Sequence, residues 1–166
     1  MKIVSRIVVL LVLAALGVWL WTVFFPSPEK VIRKKLAKLA LDASFTQNEN
    51  NLIKLADAQN LPDFFTDTVQ VNINIPGHEQ QTLAGKDEIR TAALASRQAA
   101  TDLEIKFPDV NITVAPDKNS ATADVTVDAT VSGERDAIIQ EFKFNFQKTD
   151  GQWLINRVET VQNVSL

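Results

Sequence analysis

A run of 19 residues without a charged side chain, Ile7 to Phe25, most constrains what this chain can form. At a rise of about 1.5 Å per residue, a helix of this length spans close to the ~30 Å hydrocarbon core of a bilayer. Aromatic residues, which are typical of a membrane–water interface, crowd its C-terminal end: Trp19, Trp21, Phe24 and Phe25. The run predicts a transmembrane anchor within residues 1–27 and a separate domain over residues 28–166.

A cleaved signal peptide is the alternative, because Lys2 and Arg6 make a basic start before the apolar run. Against it, the run exceeds the ~7–15 residues usual for such a segment, and no small-x-small site precedes Pro26. Counting the basic residues on each side slightly favours a cytoplasmic domain. However, a short basic tail before an apolar run is how secretory signal anchors begin. We therefore expect a single-pass membrane protein whose domain lies outside the cytoplasm, on the periplasmic side.

The charges of the chain are divided unevenly. Residues 1–38 carry seven Lys or Arg and one Glu, a net charge of +6, whereas the other 128 residues carry ten Lys or Arg and nineteen Asp or Glu, a net charge of −9. An acidic domain is repelled by phosphate backbones, so no nucleic-acid partner is expected. The basic stretch either meets anionic lipid headgroups beside the apolar run or is an ordinary solvated helix turn.

The first half of the soluble part predicts three helices and two short strands. Ser27 and Pro28 suit the start of a helix. A second helix is predicted over about residues 50–60, with Leu52, Leu55 and Ala56 on one apolar face. Strict alternation of apolar and polar residues over 69–75 predicts a half-buried strand, and a short strand over 80–83 precedes a third helix that opens at Gly85.

The second half predicts four antiparallel strands, separated by turns that proline and glycine mark. Their predicted ranges are 103–114, 121–131, 138–148 and 152–161. Pro108 predicts a β-bulge in the first of them. Alternation of small apolar and polar residues in the second, and of phenylalanine and polar residues in the third, predicts a sheet with one buried face and one solvated face.

This order of elements resembles the nuclear transport factor 2-like superfamily, which includes SnoaL-like polyketide cyclases, ketosteroid isomerase and scytalone dehydratase. Three stretches of this sequence are similar to family features: residues 64–69 at the entry to the first strand, 85–89 at the third helix, and 150–155 at the last turn and strand. The resemblance implies an α+β cystatin-like cone, in which three helices pack on a curved, mainly antiparallel sheet of about six strands.

The resemblance also implies a pocket at the wide end of the cone, walled by aromatic residues. The candidates are Phe65, Phe142, Phe144, Phe146 and Trp153. Core packing is the more common interpretation of an alternating phenylalanine series, and such a pocket can be filled by its own side chains. Arg157 shares strand parity with Trp153 and Ile155, so its guanidinium could reach the pocket and hold an anionic ligand, or it could pair with a carboxylate at the strand end.

The catalytic sets of the related enzymes cannot be assembled from this sequence. Ile75 stands before Pro76, where ketosteroid isomerase has its carboxylate base, the chain lacks tyrosine, and His78 is its one histidine. Cysteine is absent and no metal-ligand spacing occurs, so no catalytic residue, metal or cofactor is predicted.

The sequence therefore favours a membrane-anchored, non-catalytic binding or assembly module. It would contact membrane lipid through Ile7 to Phe25 and engage a protein partner or an apolar small molecule. The alternative is an enzyme or carrier of the isomerase, cyclase or dehydratase type, which would use the cone pocket with Arg157 or Asp67 as its polar group.

Overall fold

The computed structural model describes residues 26–75, 79–133 and 137–161, together with Val12 and Leu16, which are helical and exposed. The rest of the predicted span, Ile7 to Phe25, lies outside the described residues, as does His78. Within the described ranges, no helix combines the length and the apolar character that crossing a membrane requires. The anchor and the domain boundary at residue 28 stay predictions.

The described ranges contain three α-helices and six strands. The helices are α1 (Pro28–Ala43), α2 (Asn51–Asn60) and α3 (Gly85–Ala99), and a 3₁₀ turn (Leu61–Phe64) follows α2. The strands are β1 (Phe65–Ile73), β2 (Gln81–Ala84), β3 (Leu103–Val114), β4 (Ser120–Val131), β5 (Ile138–Thr149) and β6 (Gln152–Thr160). The predicted order of elements is confirmed, and β1 begins four residues earlier than predicted.

All six strands form one sheet in the order β2-β1-β6-β5-β4-β3. Neighbouring strands are antiparallel except for β1 and β6, which run parallel. The predicted α+β class and mainly antiparallel sheet are therefore confirmed. Strand β3 lies at one edge, where only Phe45 pairs with it on the side away from β4 among the described residues.

Helix α1 packs on β3 and α3 packs on β1 and β2, whereas α2 packs mainly on the other two helices and the 3₁₀ turn. In α1, a buried stripe recurs at helical spacing: Ile32, Leu36, Leu39 and Ala40. In α2, Asn50 caps the start by accepting a hydrogen bond from the Leu52 amide at 2.9 Å. The predicted helix is confirmed, but its apolar face is not buried: Leu52 is 75% exposed and Leu55 is 46% exposed, whereas Ala58 is buried.

Two β-bulges set which side chains face the core. In β3, the pairing with β4 shifts between Lys106 and Asp109, which confirms the bulge predicted at Pro108. In β6, the pairing with β5 shifts at Asn156, so the residues after it change faces. Asp150 and Gly151, with φ of 50° and 79°, join β5 to β6 by a two-residue turn of the type that matches strand twist.

Candidate functional site

The five aromatic candidates lie together in the core of the cone. Phe65, Phe142, Phe144, Phe146 and Trp153 are all between 1% and 8% exposed. The rings of Phe142 and Phe144 have centroids 6.4 Å apart and lie tilted to each other, a normal packing geometry for aromatic pairs. These side chains therefore belong to the buried hydrophobic core, and their binding of a ligand stays a prediction.

The two polar candidates do not reach this interior. The bulge at Asn156 breaks the strand parity, so Ile155 and Val158 are buried whereas Arg157 is exposed. The Arg157 guanidinium pairs with Glu159, with 3.1 Å between Nε and Oε2. The prediction that Arg157 shares a face with Trp153 is therefore wrong. Asp67 is also exposed and pairs with Lys86 at 2.8 Å.

An open groove of about 620 Å³ lies between α1 and β3, and sequence reasoning missed it. Its walls are mainly apolar; the lining residues are Arg33, Leu36, Ala37, Ala40 and Leu41 on α1, Ile105, Lys106, Phe107, Pro108 and Val110 on β3, and Asp128 on β4. Phe107 packs on Phe144 with 6.1 Å between ring centroids, so the aromatic core continues to the groove floor. We call this depression the α1–β3 groove.

The groove runs beside an edge strand. At the start of β3, the backbones of Phe45 and Leu103 exchange two hydrogen bonds of 2.8 and 2.9 Å. The Ser44 hydroxyl then accepts a hydrogen bond from the Ile105 amide at 2.9 Å. Beyond Ile105, no described strand pairs with this edge of β3. The part of β3 that lines the groove after Ile105, as far as Val110, therefore has no described strand partner on this side.

Charged side chains stand at the rim of the groove. The Lys106 ammonium pairs with the Glu104 carboxylate at 2.9 Å, and this hydrogen bond raises the pKa of Lys106. Arg33 is exposed on the opposite wall. Among the described residues, no polar or charged residue is fully buried.

The half-buried Arg97 contacts two other parts of the chain, and these contacts indicate a structural role. Burial lowers its pKa, and nearby carboxylates oppose that effect, Asp57 the most strongly. Its guanidinium donates to the backbone carbonyl of Asp42 at 2.7 Å and lies 5.2 Å from the ring centroid of Phe45. Arg97 thus connects α3 to the C-terminal end of α1 and to Phe45, which follows it.

No protein-family model matches the sequence, and no curated protein matches it. Solved structures do match. An NTF2-like protein with a cystatin-like fold from Novosphingobium aromaticivorans is similar with a TM-score of 0.61 and 19% identity, over 92% of this chain and 92% of that chain. A candidate scytalone dehydratase from the same species has a TM-score of 0.59 and 16% identity, over 81% and 84%.

A cystatin-like protein of unknown function from Nostoc punctiforme has a TM-score of 0.60 and 14% identity, over 83% of this chain and 92% of that chain. Likeness at these identities is a likeness of fold, since one fold of this kind hosts many unrelated activities. The NTF2-like, cystatin-like fold expected from the order of elements is confirmed.

Proposed function

We propose that this chain is a membrane-anchored, non-catalytic binding module that engages a protein partner through the α1–β3 groove. One observation carries the proposal: an apolar groove lies between a helix and an edge strand whose second half has no described strand partner. An extended segment of a partner can add to such an edge, where main-chain hydrogen bonds supply affinity and the apolar wall selects side chains.

Exposed apolar side chains on the helices support a protein partner. Leu41, at the end of α1, lines the groove and is 73% exposed. On α2, three large apolar residues within five positions are exposed: Leu52 by 75%, Ile53 by 51% and Leu55 by 46%. Such exposure on neighbouring positions is typical of interaction surfaces, whereas scattered single residues are not.

The packing of the cone interior supports binding over catalysis. The aromatic side chains that would wall an enzyme pocket are at most 8% exposed and pack on one another. An acyl-transfer, isomerase or dehydratase site needs a positioned acid or base beside its substrate. The titratable candidates Arg157 and Asp67 instead form exposed ion pairs on the surface.

Membrane anchoring is the second part of the proposal, and it rests on the uncharged run Ile7 to Phe25. Confinement to a membrane surface raises the effective concentration of a domain towards neighbouring proteins without a new contact. Extraction at alkaline pH tests the anchor: the full chain stays in the membrane pellet if the run spans the bilayer. Intact mass of the mature chain identifies cleavage, which would overturn the anchor.

Because the chain has no cysteine, a single introduced thiol reports the side on which the domain lies. Gln98→Cys places a thiol at an exposed position of α3. It should react with a membrane-impermeant maleimide in cells whose outer membrane is permeabilised and whose inner membrane is intact. Labelling that requires lysis of the inner membrane would place the domain in the cytoplasm and contradict the expected orientation.

Site-specific photocrosslinking tests the groove. A photoreactive phenylalanine analogue in place of Leu41 should give a discrete protein adduct in native membranes, and the same analogue in place of exposed Ala95 on α3 should not. Ala37→Trp should abolish the adduct because Ala37 is exposed and lines the groove. Ala95→Trp is the matched control and should leave it unchanged.

Two outcomes would overturn the proposed partner. The first is an adduct that forms equally from position 95, since that would indicate non-specific proximity in the membrane. The second is a position-41 adduct whose added mass is that of a small molecule, which would identify the groove as the site of an apolar ligand. Peptide mapping of a protein adduct then locates the segment that occupies the groove.

A further inference from the structure

A second depression, on a different face of α1, concentrates positive charge against aromatic walls. It has a volume of about 360 Å³ and lies between α1, the 3₁₀ turn and the start of β6. The side chains that matter are Val31, Lys34, Lys35, Lys38, Phe64 and Trp153. We call it the lysine cleft, and we propose that it binds the headgroup of an anionic phospholipid at the membrane surface.

The lysines are held over the apolar wall. The ammonium groups of Lys35 and Lys38 lie 5.8 and 5.3 Å from the ring centroid of Phe64. The Lys35 ammonium also donates a hydrogen bond to the backbone carbonyl of Trp153, which fixes it at the cleft wall. Burial lowers the pKa of Lys35, so an anion beside it would favour its charged form.

Nearby carboxylates neutralise only part of the positive charge of the cleft. Lys38 pairs with Asp42 at 2.6 Å, and Asp63 acts on Lys35 from an exposed position. Lys34 is exposed, and no acidic side chain of the described residues lies within ion-pair distance of it. The cleft therefore carries excess positive charge, while the chain beyond residue 38 has a net charge of −9.

The position of α1 makes a bilayer the favoured source of the anion. The helix begins at Pro28, three residues after the predicted span ends at Phe25. At about 1.5 Å per residue, Lys34 lies ~9 Å and Lys38 ~15 Å along the helix from Pro28. Both lysines therefore lie within ~15 Å of the helix start that follows the predicted span, and basic residues close to a bilayer surface attract anionic lipid.

Two features of the domain favour a lipid over a free anion or a nucleic acid as the ligand of the cleft. Val31, which is 36% exposed, offers an apolar surface to the glycerol and the upper acyl carbons of a lipid, groups that inorganic phosphate does not have. The acidic remainder of the domain repels a nucleic acid. This inference rests on the membrane location in the proposed function and does not depend on the α1–β3 groove.

Native mass spectrometry of the full chain in neutral detergent tests the inference. The protein is titrated with phosphatidylglycerol, with phosphatidylcholine of the same acyl chains, and with inorganic phosphate. We expect phosphatidylglycerol to be retained at lower concentration than phosphatidylcholine. Lys34→Gln with Lys38→Gln should need roughly 30-fold more phosphatidylglycerol, since two surface lysines are removed.

The matched control is Lys118→Asn with Lys143→Gln, which removes the same charge from the β3–β4 turn and from β5 and should leave retention unchanged; asparagine tolerates the positive φ of position 118. Lys34→Arg with Lys38→Arg should keep the preference because it keeps both charges. Equal retention of the two lipids, equal loss in the control variant, or displacement by inorganic phosphate at the same concentration would each overturn the inference. Ala37→Trp should not affect retention, which separates this result from a failure of the groove.

Discussion

Phe146→Ala should destabilise the domain by about 3–5 kcal/mol, because it removes a ring from the centre of the core. Phe146 is 1% exposed and lies between Ala121 on β4 and Ile155 on β6, so a smaller side chain leaves a cavity that neither neighbouring strand can fill. If the ring instead walled an open, solvated pocket, the same change would cost little. The substitution thus decides between a filled cone and a ligand pocket.

The expected shift in melting temperature follows from the size of the domain. An unfolding entropy of roughly 2.1 cal/mol/K per residue over about 135 residues gives ~0.28 kcal/mol/K. A loss of about 3–5 kcal/mol therefore lowers the melting temperature by ~10–18 °C. Circular dichroism of the full chain in neutral detergent measures this shift, and urea titration measures the free energy of unfolding independently.

Ile139→Ala is the matched control on the same strand, since Ile139 is 67% exposed. It should change the free energy of unfolding by less than about 1 kcal/mol. A Phe146→Ala variant that unfolds within 1 kcal/mol of the control would refute the filled-core interpretation. It would also restore the cone pocket as a candidate ligand site.

Three further substitutions test local features of the fold. Ser44→Ala should cost about 1–3 kcal/mol in chemical denaturation, because it leaves the edge-strand amide of Ile105 without its hydroxyl acceptor. Gly151→Ala should cost about 1–2 kcal/mol by the same measurement, since its φ of 79° strains any residue with a Cβ while no neighbour lies within 4 Å. Lys35→Met should remove part of the pH dependence of unfolding, because burial lowers the pKa of Lys35 in the folded chain. Just below pH 10.5 the unfolded chain therefore binds more protons than the folded chain, and the stability of the natural chain rises with pH relative to the variant. Parallel pH profiles for the two proteins would contradict that assignment.

Local sequence signals predicted most of the sheet. The bounds of β3 were predicted to the residue, and those of β4, β5 and β6 to within one residue, because alternation marks a half-buried strand and glycine or proline marks its ends. The bulge at Pro108 was equally legible, since proline cannot donate to the ladder. These features depend only on residues that are close in sequence.

The face of Arg157 could not be predicted in the same way. Its assignment to the core side assumed unbroken parity from Trp153, but the bulge at Asn156 moves it to the outer face. Asparagine carries no strong local signature of a bulge, and its position is set by the pairing of β6 with both β5 and β1. A one-residue shift of that kind reverses every later side chain, so strand parity is a weak guide to pocket residues near a sheet centre.

The α1–β3 groove illustrates the remaining gap between sequence and site. Periodicity identified the buried stripe of α1, and alternation identified β3. Neither pattern says how closely this helix and this strand will pack, because about 60 residues separate them in the sequence. Leu41 was the one residue of α1 whose sequence position could have indicated the groove. It is a large apolar residue outside the buried stripe, at a helix position where a solvent-exposed face would favour a polar residue. Phe107 lines the groove and also packs on Phe144 of the core. The apolar core therefore extends to the surface at this groove. A domain with a packed core can still bind a partner at a groove on its surface, and in this chain the groove between α1 and β3 is where a partner should be sought.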